Sequence, residues 1–199
     1  FGEMLRKELK SLEKGGTVLK EKDITDFYNQ GIAIVAELDA AFDSYFPSGF
    51  KFIKAEETLM EKVGEFTESD YKFKGYIDLI IQTPDGKYHV IDYKSCSWGW
   101  KAEKRTSQII TYQLTLYKHY WAQKMGVDPS EVETHFALLK RTQKVGQMVE
   151  IFRVTSGPRK TQNALNLLKK ALYNIHTKNH LKNRLSCGRC EFKKTQHCP

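Results

Sequence analysis

The chain has 199 residues, 40% of them hydrophobic and 28% charged, enough for one domain with a substantial core. No apolar run reaches the length of a membrane span and no signal-peptide pattern opens the chain, so the expectation is a soluble, cytoplasmic protein without a membrane partner. With 32 Lys and Arg against 24 Asp and Glu, the net charge of +8 suits a polyanionic partner, whose counterions are released when such a surface binds.

The chain opens inside a helical pattern without an initiator Met, so residue 1 need not be the natural start. Residues 2–14 are predicted helical and are stopped by Gly15 and Gly16. A second helix is expected from Thr25 to Tyr45. Its Phe27, Ile32, Val35, Leu38 and Phe42 fall near helical spacing, and Pro47 with Gly49 ends it. Strand material follows in FKFIKAEETLM.

YKFKGYIDLII and KYHVIDYK then flank QTPDG. Pro84 fixes φ, Asp85 tolerates the next position and Gly86 accepts a positive φ, which predicts a hairpin. AEKRTSQIITYQLTLYKHYWAQKMG reads as one long helix ending near Gly126. VETHFALLKR and QMVEIFRV alternate as strands, and GPRKTQNALNLLKKALYNIHTKN is the last helix. The order predicts an α/β fold, a mixed central sheet flanked by helices.

Three charges interrupt the apolar hairpin: Asp78, Asp92 and Lys94. Strict alternation puts Tyr76, Asp78 and Ile80 on one face of the first strand. On the second, Val90, Asp92 and Lys94 share a face against Ile91 and Tyr93. Across a hairpin the two carboxylates can hold one cation between them, and oxygen donors are what Mg²⁺ or Mn²⁺ accepts. An ammonium at Lys94 would orient a water or steady charge on a phosphate. On the following helix Gln113 and Tyr117 are four residues apart, on one face.

GYIDLI, VIDYKS and QLTLY resemble the RecB-like branch of the PD-(D/E)XK nucleases, whose marks are a G-x-x-D strand, a D-x-K strand and a helix with Q-x-x-x-Y. The resemblance covers residues 50–155 most closely. It implies a restriction-endonuclease-like core and a metal-dependent deoxyribonuclease, as an exonuclease of the phage, AddB or CRISPR spacer-acquisition type. It makes Asp78 and Asp92 metal ligands assisted by the Tyr93 carbonyl, Lys94 the catalytic lysine, and Gln113 with Tyr117 the helix motif. An acid from the preceding strand belongs to such a site. Glu56 is taken, with Glu57 the alternative. Exonuclease-like members carry a helix histidine in G-x-x-x-H, and here Arg6 stands at that position after Gly2. A helicase or recombination partner also fits the family, as does a catalytically silent DNA-binding module.

The tail SCGRCEFKKTQHCP brings Cys187, Cys190 and Cys198 together in C-x₂-C-x₇-C spacing, which suits a metal. The resemblance implies a [4Fe–4S] cluster, with its fourth ligand upstream of this chain. Zinc completed by His197 or His180 is the other reading. Residues 1–185 are then the nuclease domain and 186–199 a cysteine-containing segment packed on it. Trp98, Lys101 and Arg105, with Trp100 and Lys104 beside them, suit stacking on unpaired bases, although one tryptophan packed in the core is equally compatible.

Overall fold

A computed structural model describes residues 1–18, 20–63, 71–179, 181, 184–196 and 198. The chain begins with α1 (Gly2–Lys14) and α2 (Glu21–Tyr45). The second helix starts four residues earlier than its apolar spacing predicts, and Glu21 and Asp23 in its first turn favour that start through the helix dipole. Only its C-terminal half lies on the sheet. Phe42 is buried there, whereas Phe27, Ile32 and Val35 are exposed. The Glu37 carboxylate further anchors α2 by accepting from the backbone N–H groups of Gly146 and Met148, at 2.5 and 2.9 Å.

Five strands follow: β1 (Lys51–Lys62), β2 (Lys72–Gln82), β3 (Tyr88–Cys96), β4 (Val132–Lys140) and β5 (Val149–Val154). They form one sheet in chain order, with β3 and β4 parallel and the other pairs antiparallel. The β2–β3 hairpin is the predicted one. Gly86 takes φ +87° and donates to the Thr83 carbonyl at 2.9 Å, closing the turn.

Between β3 and β4 the expected single helix is two: α3 (Ala102–Thr106) and α4 (Gln108–Met125). Ser107 is extended at ψ 122°, and this break turns the chain so that α4 alone lies along the sheet. The short α3 is held elsewhere, because Arg105 reaches the Trp100 carbonyl and Glu150. A left-handed Gly126 ends α4, as its sequence position predicts. The last helix, α5 (Pro158–His176), packs against α4.

The helices cover both faces of the sheet. On one side α4 and α5 meet Leu59, Ile77, Ile80, Val90, Phe136 and Leu138. On the other, Phe42 and Phe46 of the α2 end meet Leu79, Ile81, Ile91 and Ala137. No described helix is long and apolar enough to cross a membrane.

Candidate active site

The β2–β3 ladder runs from Gln82–Tyr88 to Leu79–Ile91 and stops there. One step further, where Asp78 and Asp92 would pair, the Tyr93 backbone N–H instead donates to Asp78 Oδ2 at 2.7 Å. A side chain has replaced a main-chain acceptor, and the two strands part at the acidic positions. The alternation expected for β2 breaks at the same place. Ile77 and Ile80 both face α4, while Leu79 and Ile81 face α2. Asp78 is thus not simply in line with Tyr76 and Ile80. On β3 the expected alternation is observed, with Val90 on the α4 side and Ile91 on the α2 side.

Asp92 is 2% exposed. Burial raises its carboxyl above the usual range; the Lys94 ammonium opposes that rise, and the Asp78 charge adds to it. Lys94 Nζ lies 2.7 Å from Asp92 Oδ2, and no other donor among the described residues reaches that oxygen. Burial, and then the Asp78 charge, also push the Tyr93 phenol up to about 12. A buried carboxylate with a second carboxylate beside it is costly unless a cation shares the site. The donors are all hard oxygens, which fits Mg²⁺ or Mn²⁺ better than a softer ion.

The helix motif meets the strand motif directly. Gln113 Nε2 donates to the Tyr117 hydroxyl at 3.0 Å. The edge of the Tyr117 ring lies 2.6 Å from where a Cβ on Gly75 would be. Only a glycine three residues before Asp78 lets α4 approach β2 so closely.

The two candidate glutamates separate. Glu57 binds Lys124 Nζ at 2.6 Å and is committed to α4. Glu56 lies between the pairs Ala55–Leu79 and Glu57–Ile77, hence opposite Asp78. It is exposed and sits at φ +50°, a left-handed conformation inside a strand. Strain of this kind gathers at functional sites. Glu56, Asp78 and Asp92 do not close to within 4.8 Å of one another. Among the described residues only His89, Glu133 and His135 form a three-ligand group that tight.

Sequence reasoning missed that histidine group. Its signal is the E-x-H spacing of Glu133 and His135 on β4, which puts both side chains on one face. Finding His89 beside them requires the β3–β4 register, which no local pattern shows.

The basic and aromatic loop after β3 divides into two parts. Trp98 is 69% exposed and Lys101 is exposed, whereas Trp100 is buried against Phe136 with Lys104 over its ring at 4.4 Å. Arg105 pairs with Glu150 at 2.6 Å and stacks over Phe152 at 4.7 Å, so its guanidinium already has an internal partner. Arg6 is exposed on α1. In the tail, backbone bonds from Lys194 to Cys198 at 2.9 Å and from Cys198 to Thr195 at 3.0 Å close a tight loop. Cys187, Cys190 and Cys198 do not converge as a metal-holding group among the described residues, and His180 and His197 lie outside those residues.

The sequence model of the PD-(D/E)XK nuclease superfamily matches residues 6–198. The chain belongs to this superfamily. Membership implies a phosphodiester hydrolase acting on DNA, in a superfamily that generally uses divalent metals. Its fold matches the crystal structure of a candidate exonuclease from Eubacterium rectale. That match has a TM-score of 0.56 and 14% identity, over 94% of this chain and 68% of the other. The structure of SSO0001 is also similar, at TM-score 0.43 and 15% identity over 94% of this chain and 91% of the other. No curated protein matches the sequence.

Proposed function

We propose that this PD-(D/E)XK protein is a Mg²⁺- or Mn²⁺-dependent deoxyribonuclease of the RecB-like branch, acting as an exonuclease. The observation that carries the reading is the parting of β2 and β3 at Asp78 and Asp92, with Lys94 2.7 Å from the buried carboxylate. The branch assignment draws on the contact between Gly75 of G-x-x-D and Tyr117 of Q-x-x-x-Y.

In this reading Asp78, Asp92, the Tyr93 carbonyl and Glu56 hold the cation. When bound, the divalent ion lowers the pKa of a water and stabilises charge on the phosphate and the leaving oxygen. Lys94 positions that water or steadies the phosphate. Tyr93 N–H fixes the Asp78 carboxylate, and Gln113 with Tyr117 sets the distance of α4 from the cleft. Water oxygen bonds to phosphorus as the ester P–O bond breaks, leaving one phosphate monoester and one free hydroxyl. Trp98 and Lys101 offer a stacking surface and a charge to the strand, and Arg105 lends charge from its internal pair.

Residues 1–185 serve as the nuclease domain in a cytoplasmic enzyme, with 186–199 packed on it. The C-x₂-C-x₇-C spacing is the one support for a [4Fe–4S] cluster or zinc at Cys187, Cys190 and Cys198, whose thiols would have to draw together to hold it, and the family supports a helicase or recombination partner. The deciding experiment incubates linear and circular DNA, single- and double-stranded, with Mg²⁺ or Mn²⁺ beside an Asp92→Ala control. Cleavage of linear DNA only, lost in the variant, is the expected result. Cleavage of circles would overturn the exonuclease reading. No cleavage by folded protein would leave a DNA-binding module.

A further inference from the structure

We propose that His89, His135 and Glu133 form a separate structural site for one Zn²⁺ on the sheet face opposite Asp92. The topology places them there. Glu133 pairs directly with His89 across the parallel β3–β4 ladder, and His135 pairs with Ile91 two residues on. Residues two apart on a strand share a face, so the three side chains form a triangle under the C-terminal end of α2. Ile91 beside them belongs to the α2-side core, whereas Val90, which shares Asp92's side of β3, faces α4.

The nitrogens are already aimed at one another. His89 Nδ1 and His135 Nε2 lie 2.9 Å apart, and one ring nitrogen of each histidine lies within 4.8 Å of a Glu133 carboxylate oxygen. Two nitrogens of a tetrahedral zinc, each at ~2.0–2.1 Å from the metal, stand about 3.3 Å apart. The two nitrogens therefore need to part by only a few tenths of an ångström, with the proton between them moving off and the Glu133 carboxylate swinging inward as the metal enters.

The outer nitrogen of each ring is held as well. His135 Nδ1 meets the Tyr45 hydroxyl at 3.2 Å, and His89 Nε2 meets Thr83 Oγ1 at 2.9 Å. Partners of this kind orient ligand histidines and fix which nitrogen is free for the metal. Phe46 packs edge-on against both rings, which makes the surroundings apolar.

Glu133 pairs with Lys87 at 3.5 Å and Arg153 at 3.1 Å. Those side chains are 42% and 58% exposed and can turn to solvent, freeing the carboxylate as the third ligand. Water takes the fourth position. The mixed nitrogen and oxygen donor set favours Zn²⁺ over Mg²⁺. Its effect would be to tie β3, β4 and, through Tyr45, α2 into one unit.

Co²⁺, as a visible probe, is titrated into full-length protein carrying Cys187→Ser, Cys190→Ser and Cys198→Ser, with excess Mg²⁺ to occupy the carboxylate cleft. One equivalent should bind with visible bands of tetrahedral nitrogen and oxygen ligation, be displaced by Zn²⁺, and raise the melting temperature. His89→Gln or Glu133→Gln should weaken binding at least about tenfold, and Asp92→Asn should leave it unchanged. Both histidine-site variants keep a polar side chain, so they avoid the folding risk of His135→Ala. Absence of the bands, or equal binding in His89→Gln, would show a hydrogen-bonded histidine pair and no metal site. Neither outcome depends on DNA cleavage.

Discussion

Gly75 and Tyr117 are in contact across the β2–α4 interface, with a Cβ at Gly75 placed 2.6 Å from Tyr117 Cε1. Tyr117 is 7% exposed and Gln113 holds its hydroxyl, so the ring has little room to retreat. Gly75→Ala should therefore cost about 1–3 kcal/mol, the range for overpacking a filled core. Urea melts of the two proteins measure it. An unchanged midpoint would show that Tyr117 yields without resistance.

Part of the candidate site was legible in the sequence for a different, local reason. G-x-x-D, D-x-K and the turn at Gly86 depend on residues within a few positions, and the hairpin brings them together by local geometry. The break between α3 and α4 was not legible, because Ser107 sits in an unbroken helical pattern and Arg105 answers to Glu150, 45 residues away. The parting of β2 at Asp78 was hidden for a related reason. Regular alternation assumes a continuous ladder, and this ladder ends where a carboxylate takes over a backbone hydrogen bond. His89 and His135 share a face only once β4 is set parallel to β3 in its observed register.

Glu56 and Glu57 should separate function from stability. Glu56→Gly relieves the left-handed φ of +50° and should stabilise the fold by about 1 kcal/mol, while lowering metal-dependent cleavage. Glu57→Gln, which breaks the pair with Lys124, should lower stability by less than about 1 kcal/mol and leave cleavage intact. Thermal melts and cleavage rates on both variants test the assignment. Equal loss of cleavage in the two would return Glu57 to the site.

Asp92→Asn should lower cleavage at least about a hundredfold and make the protein more stable at neutral pH. The stability gain follows because burial dominates the environment of this carboxyl and disfavours its charge. Lys94 is 31% exposed at its side chain and can turn to water once its partner is neutral. A melting temperature below the parent's would show that the ion pair outweighs the desolvation.

The loop after β3 should behave as two parts. Arg105→Ala removes the Glu150 pair and the contact with Phe152, and should destabilise the fold by about 1–2 kcal/mol. Trp98→Ala touches an exposed ring and should leave the melting temperature unchanged, while weakening single-stranded DNA binding by about 1–3 kcal/mol if bases stack there. Fluorescence anisotropy with a labelled oligonucleotide reads the second effect directly.

Lys118 gives the pH prediction. It is 9% exposed and lines a cavity of about 410 Å³ with Asp128, Ser156 and Thr161. Burial, with Arg153 adding to it and Glu133 and Asp128 opposing, holds its ammonium below the usual lysine range. The unfolded chain keeps this proton to higher pH than the folded chain does, so stability rises with pH between the two values. The cost is full at neutral pH and fades as the ordinary lysine range is approached. Lys118→Met should accordingly raise stability at pH 7 by about 0.5–2 kcal/mol, with a smaller advantage at about pH 10. Denaturation of both proteins at the two pH values checks the sign. An advantage that grew with pH would mean the folded state holds the charged lysine more tightly than water does.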